Sequence, residues 1–124
     1  KLKTDLVEIL EACCNKKLID VNIEWTNKKS LCVVLCSKGY PDTYQKNVLI
    51  NNLENFTLDE NNFIFHAGTK KENDKIYATG GRVLNFIALS NNFLQARDEA
   101  HKCIKNLDWD GGFYRRDIGF KVID

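Results

Sequence analysis

Three of the four arginines in this chain stand close to glycine pairs. Arg82 follows Gly80-Gly81 directly, and Arg115 and Arg116 come shortly after Gly111-Gly112. Lysine is the default cation, with 14 copies, so each arginine invites a reason. The planar guanidinium fork suits two-pronged recognition of a phosphate or a carboxylate. Gly80 and Gly81 would let a ligand approach the backbone and let Arg82 turn toward it. The alternative is a β-bulge, with Arg82 paired to a carboxylate such as Asp117.

Other residues join this candidate site. In the run His66-Ala67-Gly68-Thr69-Lys70, His66 can contact a ligand phosphate or move a proton. A hydrogen-bonded core histidine is the ordinary reading of the same residue. Gly68 and Thr69 can offer an amide and a hydroxyl to an anion. The run Ser37-Lys38-Gly39-Tyr40-Pro41 ends a central strand, a usual place for ligand contacts, or else makes a tight turn. Tyr114-Arg115-Arg116-Asp117 reads as a salt-bridge clamp on the C-terminus. His101 is given no role. No phosphate-cradling GxxxxGK[ST] loop, no GxGxxG and no HExxH occurs, and no nucleophile–histidine spacing declares itself. The residues alone support an anion-binding α+β module and no further.

The elements that must position these residues can be read from periodicity. Thr4 to about Leu18 predicts an amphipathic helix, with Leu6, Ile9, Leu10, Cys13 and Cys14 on its apolar side and Thr4 as cap. Val21 to Trp25 alternates as a short strand. Leu31 to Cys36 is wholly apolar and predicts a central strand, which the chain's one proline then ends. Residues 42–62 form a polar excursion around the apolar knot Val48-Leu49-Ile50. Phe63 to Thr69 predicts one strand, turning through 70–75 into Ile76–Thr79, with Gly68 facing Gly80. Val83 to Leu89 is a further strand. Asn91 or Asn92 caps a last helix, Asn92 with Gln95 resembling a capping box, and its stripe is Phe93, Ala96, Ala100, Cys103, Ile104 and Leu107. The fold class is α+β, a mostly antiparallel sheet with helices flanking one face.

Composition sets the outer limits. The 124 residues suit one domain over 1–124, in which 1–20 lead in and 21–124 form the body. The net charge of +1 argues against nucleic acid as a partner. No stretch approaches the roughly 18 apolar residues of a membrane span. Five cysteines without regular spacing argue against a disulfide framework. They read as small core residues in a reducing cytoplasm. The chain has no methionine, which suggests a segment of something longer, although a processed start would look the same.

Four runs appear together and in order: "CVVLCSKGYPDTYQK", "FHAGTK", "ATGGRVLNFIAL" and "FYRRDIG". With the leading "KTDLVEILEA", they resemble the C-terminal domain of the phosphoribosylamine–glycine ligase family across essentially the whole chain. The resemblance implies an ATP-grasp enzyme of de novo purine synthesis. Such an enzyme joins glycine to 5-phosphoribosylamine and splits ATP to ADP and phosphate. It also implies ATP and Mg²⁺ or Mn²⁺, held by ATP-grasp domains upstream of Lys1 and not by this segment. The segment alone would then be inactive. By likeness to related amine ligases, the acceptor's phosphate falls to Arg82, with Gly80, Gly81, His66, Gly68 and Thr69 around it. Lys38 is a further substrate-binding candidate, although it stands where the family often has a small residue. A stand-alone phosphosugar-binding module and a purely structural domain are the competing expectations.

Overall fold

The computed structural model describes residues 1–53 and 56–123. The fold is α+β, with two antiparallel sheets and two α-helices. The strands are β1 (Lys29–Ser37), β2 (Val48–Leu49), β3 (Asn62–His66), β4 (Thr69–Glu72), β5 (Lys75–Ala78), β6 (Arg82–Ser90) and β7 (Gly112–Phe113). The helices are α1 (Leu6–Cys14) and α2 (Phe93–Leu107). The larger sheet runs β3-β6-β1-β7, and the smaller runs β2-β5-β4.

The core lies between one face of the larger sheet and α2. Leu31, Val33 and Leu35 of β1 and Leu84, Phe86 and Ala88 of β6 point into it. They meet Ala96, Ala100, Ile104 and Leu107, which recur at helical spacing on α2. Each buried Leu, Ile or Phe contributes on the order of 1.5–3 kcal/mol relative to exposure. Asn92 caps α2, its side chain accepting from the Gln95 N–H at 2.8 Å. Gln95 does not complete a capping box. Its Oε1 accepts instead from the Ser90 hydroxyl at 3.0 Å.

Several expectations are corrected here. Asp5 caps α1, accepting from the Val7 N–H at 2.7 Å. Thr4 instead bridges to Asn22 and Glu24, pinning the loop that follows the helix. The helix stops at Cys14, and Leu18–Asp20 form a separate 3-10 turn. The stripe of α1 is not in the core, since Leu6, Val7 and Leu10 are each more than half exposed. Only α2 therefore covers the sheet. Val21–Trp25 is not a strand, and only a single bridge joins Leu2 to Trp25. Phe63–Thr69 is not one strand either. β3 pairs with β6, the chain turns at Ala67-Gly68, and β4 pairs with β5 in the other sheet.

Four of the cysteines are not core residues, and only Cys103 packs, partly buried, against the core. All five are free thiols, with Cys13, Cys14 and Cys32 exposed and Cys36 and Cys103 half-buried. The reason in β1 is alternation: Leu31, Val33 and Leu35 take the helix side, so Cys32, Val34 and Cys36 take the other. That second face carries Phe63, Phe65, Asn85 and Ile87 as well, and no helix lies on it.

Candidate anion-binding site

A change of register decides where Arg82 goes. Along β1 and β6 the pairing is regular down to Leu35 opposite Leu84, and then Cys36 lies opposite Arg82. One step on β1 thus spans two on β6, leaving Val83 as the extra residue of a β-bulge. Val83 and Leu84 are both fully buried although they are neighbours in a strand. In an unbroken ladder Arg82 would share the helix-covered face with Leu84. The bulge carries it instead to the open face beside Cys36, where it is exposed. Its positive charge reaches the Cys36 thiol and favours the thiolate, but burial outweighs it and holds that pKa above the ordinary value.

Both earlier options for Gly80-Gly81-Arg82 thus meet in one structure, because the bulge is what exposes the arginine. The suggested pairing with Asp117 is not made. Asp117 is gripped by Arg115, whose Nε donates to Oδ1 at 3.0 Å and whose Nη2 donates to Oδ2 at 2.5 Å. That pair spans two residues of one turn, so it is a local brace and not a clamp on the chain end. Among the described residues no acidic side chain forms a salt bridge with Arg82.

The glycines serve backbone contact. A Cβ on Gly68 would lie 2.6 Å from the Gly80 Cα, so the two chains touch as only glycines can. The Gly68 carbonyl accepts from the N–H groups of Thr79 at 2.7 Å and Gly80 at 3.1 Å. The Gly68 N–H donates to the Arg82 carbonyl at 2.9 Å, and the Thr69 N–H donates to Ala67. The amides of Gly68, Thr69 and Gly80 are therefore already engaged. Donors for an anion at these three positions have to come from side chains.

His66 is exposed, which corrects the reading of a core histidine. Its Nδ1 shares a hydrogen bond with the Thr69 hydroxyl at 2.9 Å. The backbones of Gly68, Gly80 and Arg82 meet at one junction of β3, β4 and β6, whereas the His66 side chain, paired opposite Leu84 and bonded to Thr69, lies on the other face of the sheet from Arg82. Lys38 stands apart: its N–H donates to the Gly111 carbonyl at 2.9 Å, and it lines a separate cleft of about 620 Å³ with Tyr44 and Asp110. Ser37, a possible ligand contact by sequence, is buried and bonded within the chain. Tyr40 was missed by sequence reasoning. Its ring lies over Gly81, a contact between distant segments that no local pattern signals.

Among the described residues no group of three or more His, Cys, Asp or Glu could hold a metal ion. No helix among them is long and apolar enough to cross a membrane.

Comparison with known proteins gives a consistent answer. Residues 30–121 match the family described as "Phosphoribosylglycinamide synthetase, C domain". The chain is 40% identical over 119 residues to a phosphoribosylamine–glycine ligase of Fusobacterium nucleatum, covering 95% of this chain and 28% of that protein. It is 42% identical over 123 residues to the ligase of Agrobacterium fabrum, covering 99% of this chain and 29% of that one. The crystal structure of a phosphoribosylamine–glycine ligase from Thermotoga maritima superposes with a TM-score of 0.66 at 29% identity. That match covers 90% of this chain and 28% of the other. The chain therefore spans little more than a quarter of the length of these relatives.

Proposed function

Because this chain belongs to the phosphoribosylglycinamide synthetase C-domain family, we propose that it is the C-terminal part of a phosphoribosylamine–glycine ligase. The complete enzyme joins glycine to 5-phosphoribosylamine and yields glycinamide ribonucleotide, ADP and phosphate, a step of purine biosynthesis. ATP and its metal belong, in this reading, to ATP-grasp domains outside this segment. Three exposed thiols fit a reducing, cytoplasmic setting.

The part played by this segment is to hold the ribose phosphate of phosphoribosylamine. The observation that carries this is the bulge at Val83, which takes Arg82 out of the packed face and leaves its guanidinium beside no described carboxylate. The phosphate would accept a charge-assisted, two-pronged hydrogen bond from that guanidinium. Holding the phosphate fixes the amine for attack on the activated glycine carboxyl, a gain of orientation and not of chemistry at this segment.

The test is Arg82→Ala in the full-length enzyme. Loss of a charge-assisted bond of about 1.5–3 kcal/mol is expected to raise the KM for phosphoribosylamine by roughly 10- to 100-fold. The KM for ATP is expected to stay within about two-fold. Unchanged phosphoribosylamine kinetics would remove Arg82 from the site.

A further inference from the structure

Arg82 is reached through two glycines, the most permissive residues a chain can use. A guanidinium hung on a loose backbone would lose much of its hold on a phosphate, because each ordered group has to overcome its own entropy. Something has to fix Gly80-Gly81, and the last residue of β1 and the turn after it do so at three points.

Ser37 supplies two of them. Its N–H donates to the Gly81 carbonyl at 2.8 Å. Its hydroxyl donates to the Gly80 carbonyl at 2.9 Å. Ser37 is 2% exposed, so both bonds are made away from competing water. Tyr40 supplies the third. A Cβ built on Gly81 would fall 2.1 Å from Tyr40 Cδ2 and 2.6 Å from Cε2, so the ring lies against the Gly81 Cα with no room to spare. Tyr40 is itself held, its N–H donating to the Ser37 carbonyl at 3.1 Å and its ring meeting Tyr44 edge-on with centroids 6.2 Å apart. The turn behind it is tight as well: Gly39 has φ +93°, and a Cβ there would meet the Thr43 carbonyl oxygen at 2.2 Å.

We propose that Ser37 and Tyr40 are positioning residues that lock Gly80-Gly81 and so aim the Arg82 guanidinium at the substrate phosphate. This rests on the assignment of Arg82 to phosphoribosylamine. Neither residue needs to touch substrate. They act through two carbonyls and one aromatic face, on the residues immediately before the arginine.

The experiment measures steady-state kinetics of the full-length enzyme against phosphoribosylamine and ATP separately. The variants are Ser37→Ala, Ser37→Thr, Tyr40→Leu, Gly81→Ala and Arg82→Ala. Ser37→Ala, Tyr40→Leu and Gly81→Ala are each expected to raise the KM for phosphoribosylamine by about five- to thirty-fold, with the KM for ATP unmoved. Ser37→Thr keeps the hydroxyl and is expected to restore the wild-type value. The pair Gly81→Ala with Tyr40→Leu is expected to be milder than the two single effects multiplied, because the smaller side chain makes room for the methyl.

Two failures are distinguishable. If Arg82→Ala raises the phosphoribosylamine KM and soluble Ser37→Ala and Tyr40→Leu do not, the positioning role is overturned and the phosphate role stands. If Arg82→Ala itself has no effect, both are overturned. Equal rises in the KM for ATP would mark a general structural role and would also overturn the proposal. Should Tyr40→Leu fail to fold, the contrast between Ser37→Ala and Ser37→Thr decides alone.

Discussion

Trp109 joins the two sheets through one donor. The residue is 8% exposed, and its Nε1 donates to the Leu49 carbonyl of β2 at 2.9 Å. A buried indole of this kind is expected to find a partner for its N–H. Trp109→Phe keeps most of the apolar volume and removes the donor, leaving the Leu49 carbonyl unpaired. A loss of about 1–3 kcal/mol is expected in denaturant unfolding. A midpoint within error of the parent would mean that water satisfies that carbonyl equally well. At this scale the sequence was informative where rarity was the signal: Arg82 stood out because lysine dominates. It was silent on Tyr40, whose partner is chosen by the fold and not by neighbouring residues. It did not show that the N–H groups of Gly68 and Gly80 are bonded within the chain, nor that Gly68, Gly80 and Gly81 let backbone meet backbone and ring.

Among the elements, α2 was the most legible, because cap and stripe agree on one answer. Within it, His101 has a property that the stripe did not predict. Its ring packs on Tyr114 with centroids 5.2 Å apart, and its Nε2 is enclosed without a hydrogen-bond partner. Burial pushes its pKa below 6.5, and the nearby charges of Arg97, Lys105 and Arg116 push the same way against Asp98. A histidine with a lowered folded-state pKa binds its proton more readily when unfolded. Stability is therefore full above the ordinary histidine range and is lost as pH falls through it. The thermal midpoint is expected to drop between about pH 7.5 and about pH 5.5, and His101→Gln is expected to flatten part of that slope. An unaltered slope would place the titration elsewhere. The elements that were misread were short or two-sided. The apolar stripe of α1 was real, but nothing in the described chain covers it. The alternation in 21–25 was too short to compete with the Thr4 bridges that hold this stretch as a loop. A single run of strand-like residues hid the change from one sheet to the other at Ala67-Gly68.

Taken whole, the molecule is one-sided. The helix-covered face of the larger sheet is closely packed, whereas the other presents Phe65 at 59% exposure with Phe63 and Phe113 also exposed. β1 is apolar on both sides, which is why its sequence read as a fully buried strand; the structure shows a helix on one side only. Exposed apolar patches of this sort promote association. The 124-residue chain on its own is expected to self-associate with concentration in sedimentation velocity, and Phe65→Lys to weaken that association. A chain that stays monomeric at millimolar concentration would show that the patch is too broken by Asn85 and Arg82 to act. The bulge at Val83 also bears on how this sequence can change length over evolution. A codon lost at 83 would leave Arg82 opposite Cys36 and sacrifice only a buried valine. A codon gained between Leu35 and Cys36 would give Val83 a partner, smooth the ladder and turn Arg82 toward the helix. The first shortens β6 and preserves the outward arginine, whereas the second lengthens β1 and removes it. Drift in length along this pair of strands is therefore permitted in one direction and barred in the other.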